Sequence, residues 1–297
     1  MQLCNRLLQM TGNSLYADYM ETAIYNALMA SLKADASQIA KYSPLEGWRH
    51  EGEEQCGMHI NCCNANGPRA FAMIPQFAYQ VQDDCVRVNF YAPSEAELVL
   101  PDKKPVRLKQ TTDYPQTDQI EIEVDPAKET AFTIALRIPA WSKIAVVSVN
   151  GQPQDGVLQG AYLPVNRKWK KGDRITVKLD LRARLVERNQ AQAIVRGPIV
   201  LARDSRFGDG FVDEASVVVS KDGYVELTPV KAPGFAWLAF TAPMVLGTDL
   251  ESNRAPKQIH FCDFASAGNT WDKTQRYRVW LPKTLNVMHS PYRPYNQ

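Results

Sequence analysis

Cys62 and Cys63 stand side by side in the segment Cys56-Gly57-Met58-His59-Ile60-Asn61-Cys62-Cys63-Asn64-Ala65-Asn66-Gly67-Pro68-Arg69, the most informative stretch of the chain. Gly67-Pro68 opens a predicted helix, with proline in the first turn where its missing N–H costs nothing. Both thiols therefore lie just ahead of a helix N-terminus, where the helix dipole favours thiolate over thiol. A thiolate there could bind zinc, which prefers sulfur and imidazole, or act as a nucleophile. Cys56 and His59 lie within a few residues and could contribute. The spacing fits no zinc-finger form and holds no paired C-x-x-C sites. Residue types thus leave a third reading open, buried structural cysteines in a helix-cap loop. Cys4, Cys85 and Cys262 read as ordinary buried thiols, and a chain of this length needs no disulfide for stability.

Aromatic side chains suit the C–H faces of sugars, which singles out Trp48, Trp141 and Trp169. Trp48 sits in a polar loop with Arg49 and His50 and is the better candidate for a sugar contact. Trp141 and Trp169 read as plugs of a sandwich core. Arg69 reads as a structural ion-pair partner.

The elements that must carry these residues change character near Asp84. Leu3, Leu7, Leu8 and Met10 follow a helical period that Gly12 stops. A second helix is expected from about Ser14 to Lys33, its apolar face made of Tyr16, Tyr19, Met20, Ala23, Ile24, Ala27 and Leu28. The third, opened by Gly67-Pro68, turns Phe71, Ile74, Phe77, Ala78 and Val81 inward, with a kink expected at Pro75. Beyond Asp84 the period is two: Cys85 to Tyr91, Ile120 to Val124, Phe132 to Ile138, Ala145 to Val149 and Ile175 to Leu179. Asn150-Gly151 and Lys171-Gly172-Asp173 mark turns. A second β module begins near Ala191, with strands expected over Ala193 to Ala202, Ser216 to Ser220, Tyr224 to Leu227 and Tyr277 to Leu281. The expected domains are 1–83, helical with the Cys-Cys loop, then 84–188 and 189–297, each an antiparallel β-sandwich.

Composition narrows the partners. A formal charge of +2 offers no basic stripe, so nucleic acid is not expected. No apolar run approaches the roughly 20 residues needed to span a bilayer. Met1-Gln2-Leu3-Cys4-Asn5-Arg6 lacks the features of a signal peptide. A cytoplasmic protein is one expectation; a cytoplasmic or periplasmic full-length form, addressed by a segment outside this sequence, is the other. Met1 opens directly into helix-like sequence with no cap residue ahead of it, which favours truncation.

A series of motifs in order along nearly the whole chain resembles glycoside hydrolase family 127, the β-L-arabinofuranosidases, and its relatives. Leu7-Leu8-Gln9-Met10-Thr11-Gly12, Tyr16-Ala17-Asp18, Glu21 and Tyr25-Asn26-Ala27-Leu28 look like that family's last barrel helices. Ser43-Pro44-Leu45 resembles a family loop, and Cys62-Cys63-Asn64-Ala65-Asn66-Gly67-Pro68-Arg69 its double-cysteine signature. Tyr91-Ala92-Pro93-Ser94, Leu136-Arg137-Ile138-Pro139-Ala140-Trp141 and Val149-Asn150-Gly151 continue the series. So do Arg167-Lys168-Trp169-Lys170-Lys171-Gly172-Asp173, Arg196-Gly197-Pro198-Ile199-Val200 and Arg278-Val279-Trp280-Leu281-Pro282.

The resemblance implies an α+β multidomain protein, the last helices of an (α/α)6 six-hairpin barrel followed by two antiparallel β-sandwich domains. It implies a retaining glycosidase acting on an arabinose-containing glycan, with a zinc held by cysteines and a glutamate. Carried over residue by residue, Cys62 matches the nucleophile and a zinc ligand, and Cys63 a second zinc ligand; His59, just upstream, reads as a sugar contact or equally as a satisfied loop histidine. Zinc would keep the thiolate deprotonated at neutral pH, and a soft sulfur can attack an anomeric carbon. The family's acid/base glutamate and a Glu-x-Cys pair of zinc ligands would lie upstream of the first helix here. Two thiolates fall short of the four ligands zinc usually takes, and a retaining glycosidase needs its acid/base. Glu54-Gln55-Cys56 repeats the Glu-x-Cys spacing close to the pair and offers a makeshift completion. The expectation is a weakly active or inactive fragment. The alternative is a non-catalytic carbohydrate-binding or scaffolding β-sandwich protein; a vicinal-thiol redox protein fits less well, because no βαβ pattern surrounds the cysteines.

Overall fold

The computed structural model describes residues 1–52, 62–247 and 255–284. Their contacts divide them into two compact units. One holds 1–29, 62–181 and 197–199; the other holds 30–52, 182–196, 200–247 and 255–284.

The first unit is a β-sandwich with helices. One sheet runs Ala161–Trp169, Thr130–Ile138, Cys85–Val88, Tyr79–Gln82. The other runs Ser94–Leu100, Lys104–Thr112, Gln119–Pro126, Asp173–Lys178, Val146–Val149, Gln152–Pro153. Strict alternation builds the core: Ile120, Ile122 and Val124 point in while Glu121 and Glu123 point out. They share one cluster with Ile134, Leu136 and Ile138 of the other sheet. Trp169 is fully buried there and its indole N–H donates to Phe132 O at 3.0 Å. One pairing departs from the antiparallel expectation: Cys85–Val88 runs parallel to Thr130–Ile138. The Asn150-Gly151 turn has both residues at positive φ, 49° and 79°, as a tight hairpin requires.

Three helices complete this unit. Helix α1, Gln2–Thr11, ends where Gly12 adopts φ 67° and its N–H reaches Leu8 O at 2.8 Å. Helix α2, Leu15–Ala23, continues through a π-turn at Ile24–Leu28. The helical backbone stops at Ala30 rather than Lys33. Its buried face is also rotated from the expected one: Tyr19 and Ala27 are exposed, whereas Asp18 and Glu21 are buried beside Ala17, Met20 and Ile24. Helix α3, Cys63–Ala78, begins four residues before Gly67 and runs through both Pro68 and Pro75. It stops earlier than expected at the other end, because Tyr79–Gln82 pairs with Cys85–Val88 across a turn at Asp83, φ 50°. No described helix is long and apolar enough to cross a membrane.

The second unit differs from the two facing sheets expected of a sandwich. Its described strands join in one branched eleven-stranded network. The main path is Ser216–Val218, Ala239–Leu246, Lys257–Asp263, Ile199–Asp204, Ala191–Arg196, Ala183–Arg188, Tyr224–Val225. The single strand expected over Ala193 to Ala202 is two, broken at Gly197-Pro198, where Gly197 takes φ 55°. A core of Ala193, Ala202, Cys262, Phe264, Tyr277 and Val279 lies against this network.

Candidate functional site

The vicinal cysteines head α3. Cys62 occupies the N-cap position, and its carbonyl accepts from Asn66 N at 3.0 Å, closing the first helical turn. Its side chain is exposed, and Cys63, the first helical residue, is half-buried. Helix start and thiol pair therefore coincide, four residues earlier than the Gly67-Pro68 signal places them. Arg69 lies one to two turns further on and donates from Nη2 to Asn66 Oδ1 at 2.5 Å. Its described partner is an amide within the same helix, not the carboxylate expected from sequence.

What positions α3 is its other end. Phe77 is buried in a cluster with Leu8, Ala17, Met20, Ile24 and Phe90, and Met73 and Ile74 pack against it. Asn89 then secures the helix terminus: its side-chain amide donates to Phe77 O at 2.9 Å and its backbone N–H to Ala78 O at 2.8 Å. These are carbonyls a helix end leaves without intrahelical partners.

Asn89 belongs to a buried polar network that sequence reading missed. Arg137, on strand Thr130–Ile138, donates from Nε to Asn89 O at 2.5 Å. Its two terminal nitrogens split between two carboxylates of α2, Nη1 to Asp18 Oδ1 at 2.5 Å and Nη2 to Glu21 Oε1 at 2.6 Å. Glu21 also accepts from Tyr114 Oη at 2.8 Å and from the Trp141 indole at 3.4 Å. Asp18 Oδ2 accepts from Ala140 N at 2.9 Å. Burial opposes the charge on Arg137, but Glu21 and Asp18 outweigh it and hold the guanidinium more firmly protonated than usual. Burial, then the Glu21 charge, raises the Tyr114 phenol well above its ordinary value; burial lifts Tyr162, whose hydroxyl donates to Asn89 Oδ1, to about 12. Every carboxylate oxygen in the network is committed to a donor. Asp18 and Glu21 hold α2 to the sandwich and are themselves buried. The sequence offers only a faint signal, an arginine in an apolar strand; Asp18 and Glu21 lie off the expected apolar face of α2, and nothing in the sequence pairs the three.

The other candidates separate. His59, with Cys56 and Glu54, lies outside the described residues. Trp48 belongs to the second unit, half-buried, with the Arg276 guanidinium 4.4 Å from its ring centroid and the His50 ring at 5.9 Å. Trp141 and Trp169 are core residues, as expected. Arg49, beside Trp48, is fully buried: Nη1 donates to Ala30 O at 2.6 Å and Ala265 O at 3.0 Å, Nη2 to Phe264 O, and the guanidinium lies over Phe264 and Tyr277. Among the described residues, no group of three or more His, Cys, Asp or Glu side chains gathers where it could hold a metal ion. Cys62 and Cys63 supply two sulfur donors, which is half of a tetrahedral zinc set, so the described residues alone do not fit the ion.

Comparison with known proteins locates both the thiols and the sandwich. Residues 1–76 match the model described as β-L-arabinofuranosidase, GH127 catalytic domain, and residues 85–181 match the GH127 middle domain. Together the two models take in more than half of the chain. A non-reducing end β-L-arabinofuranosidase of Bifidobacterium longum subsp. longum is 26% identical over 222 residues, covering 66% of this chain and 32% of that protein. A crystal structure of a GH127 β-L-arabinofuranosidase from Geobacillus stearothermophilus T6 superposes with a TM-score of 0.77 at 22% identity, over 94% of this chain and 48% of the other. A structure titled as a GH127 β-arabinofuranosidase gives 0.76 at 24%, over 94% and 47%. The chain thus spans about a third of the curated relative and about half of the solved ones. The double-cysteine signature falls inside the catalytic-domain match and the sandwich inside the middle-domain match, and the chain belongs to glycoside hydrolase family 127.

Proposed function

We propose that this chain forms part of a retaining β-L-arabinofuranosidase and contributes the nucleophile, Cys62. The observation that carries the proposal is the exposed Cys62 heading α3 beside Cys63, within the stretch that matches the family's catalytic domain. In this reading α1 to α3 are the last helices of an (α/α)6 barrel. The substrate is a glycan ending in β-linked L-arabinofuranose.

The reaction proceeds in two displacements. The Cys62 thiolate attacks the anomeric carbon, the carbon–oxygen bond to the leaving group breaks, and that oxygen takes a proton from a carboxylic acid. Water then attacks the same carbon, the carbon–sulfur bond breaks, and the carboxylate receives the proton of the water. The acid/base carboxyl and two zinc donors come from outside the described residues. Cys62 and Cys63 would fill half of a zinc ion's coordination; when bound, zinc would keep the sulfur ionised.

Zinc content of the purified chain, beside a Cys62→Ser, Cys63→Ser double variant, tests the metal. Stoichiometric zinc lost in the variant supports the ligand pair; equal zinc in both proteins, or none in either, overturns it for this chain. Hydrolysis of an aryl β-L-arabinofuranoside tests the nucleophile. Any turnover should vanish in Cys62→Ser alone, and turnover that survives that change sinks the assignment.

A further inference from the structure

The second unit carries a cleft of about 360 Å³ at one end of its strand network, lined by Arg188, Asn189, Gln190, Ala191, Trp280, Pro282 and Thr284. Three adjacent strands build it. Ala183–Arg188 and Ala191–Arg196 form a hairpin whose last pair is Arg188 with Ala191, so Asn189 and Gln190 are its two-residue turn. Asn189 takes φ 53°, the left-handed conformation that such a turn demands and that asparagine tolerates. On the other side of Ala191–Arg196, Leu281–Pro282 adds a third strand, with Ala191 opposite Pro282. Lys283 N then donates to Gln190 O at 2.8 Å, and the Lys283 ammonium pairs with Glu187. The turn and the wall opposite are therefore tied to each other by backbone bonds. The cleft is held open by the ladder, not by side chains that must be ordered on binding.

Its lining is one indole, one proline ring and one alanine, set against two planar amides, a guanidinium and a hydroxyl. Trp280 packs against the core of Ala202, Cys262, Phe264 and Tyr277 while also lining the cleft. No carboxylate and no lysine lines the space, and Arg188 is its single charged group among the described residues. One exposed cation is a poor match for a phosphate, which usually draws several donors. An aromatic face beside side-chain amides suits a neutral ring that shows C–H groups on one side and hydroxyls around its edge. The volume lies at the small end of the range for ligand sites, large enough for one or two sugar residues.

We infer that this cleft binds a neutral saccharide unit, stacked on Trp280 and hydrogen-bonded by Gln190, Asn189 and Arg188. The assignment stands on the cleft's own residues and does not require the chain to hydrolyse anything. It gives the second unit a glycan-holding role that no part of the cysteine chemistry supplies.

Saturation-transfer NMR and titration calorimetry on the whole chain test it, with an L-arabino-oligosaccharide as probe and glycerol as a hydroxylated control. The oligosaccharide should bind, weakly, and glycerol should not. Trp280→Ala should weaken binding roughly tenfold or more, an aromatic contact being worth on the order of one such factor. Because Trp280 also touches the core, Arg188→Ala and Gln190→Ala are made as well; both side chains are exposed, and each should weaken binding severalfold in a protein with unchanged circular dichroism. Arg174→Ala, an exposed change in the first unit, should bind as the parent does. Absence of binding, binding indifferent to all three cleft variants, or binding lost equally in Arg174→Ala would overturn the inference. None of these outcomes touches the hydrolase reading, which the turnover of Cys62→Ser tests separately.

Discussion

Arg137 and Glu21, 116 positions apart in sequence, meet at 2.6 Å with both side chains almost wholly removed from water. That contact joins a sandwich strand to the helix against which the cysteine-bearing helix packs. Removing one partner of a buried pair leaves a desolvated charge behind, at a cost of about 3–5 kcal/mol. Arg137→Met should therefore lower the free energy of unfolding by about that amount, read from urea transitions. Glu21→Gln, which keeps acceptors for Tyr114 and Arg137, should cost less. Arg174→Ala, which removes an exposed pair with Glu121, is the comparison and should shift the midpoint little. Equal effects at Arg137 and Arg174 would mean that the network does not hold the unit together.

Asp173 gives the sandwich an acid-sensitive joint. Burial alone would raise its carboxyl, but the Lys170 N–H, the Asn150 amide and the nearby Arg167 and Lys170 charges outweigh that and hold it below its ordinary value. Oδ2 accepts from Lys170 N and Oδ1 from Asn150 Nδ2, each at 2.9 Å, so one side chain ties two turns together. A carboxyl depressed in the folded state binds its proton more readily when unfolded, so stability rises with pH across the window between the two values. The contribution is complete above the unfolded value, about 4, and disappears as pH falls through the folded one. Asp173→Asn should lower stability at pH 7 and flatten its dependence on pH below about 4, measured by thermal melts from pH 2 to 7. A variant whose pH dependence matches the parent would refute the assignment.

Several strands beyond Asp84 are legible because their interior and exterior alternate without interruption, as at Ile120, Ile122 and Val124. Hydrophobic period also found α1 and its glycine stop. It failed where tertiary partners decided. Asp18 and Glu21 look like the solvent side of α2 until Arg137 is brought beside them, and that pairing depends on register across more than a hundred residues. Proline misleads at α3: Pro68 points to a first turn, yet the helix accepts it in its sixth position and begins at Cys63 instead. Strands Ser94–Leu100, Lys104–Thr112, Ala239–Leu246 and Lys257–Asp263 passed unnoticed because charged, threonine and proline residues blur their alternation. Residue type singles out the cysteine pair and a family resemblance supplies its expected role; the network that positions its helix has no such signal.

A side chain at Gly197 would meet both backbone strain and a neighbouring leucine. Gly197 stands at φ 55°, where an L-residue is strained, and a methyl group there would come within 2.5 Å of Leu181 Cδ2. The two penalties are separable. Gly197→Ala should cost roughly 1–3 kcal/mol by crowding, with a further contribution from the backbone. Leu181→Ala opens the space and should itself destabilise, since Leu181 belongs to the sandwich core. In the double variant the clash is gone but the backbone strain remains. The measured coupling from chemical denaturation should therefore be favourable yet incomplete. Full additivity would show that the contact is not what excludes a side chain.

Thiol chemistry distinguishes the cysteines without reference to metal or substrate. Cys62 is exposed at the head of α3, whereas Cys262 is fully buried. Burial raises the Cys262 thiol well above its ordinary value, with Asp263 and Asp204 adding to the effect, so little thiolate forms there at neutral pH. Access and ionisation therefore act in the same direction. Brief treatment of the native chain with iodoacetamide at pH 7, followed by peptide mass spectrometry, should find Cys62 alkylated while Cys262 stays intact. Cys262 should react only at the rate of unfolding, and adding urea through the transition should bring its labelling up to that of Cys62. Early modification of Cys262 in native buffer would mean that strand Lys257–Asp263 opens far more readily than its burial allows. Protection of Cys62 under the same conditions would point instead to a covering group at the start of α3, and zinc or disulfide chemistry there could then be told apart by repeating the labelling with a chelator or with a reductant.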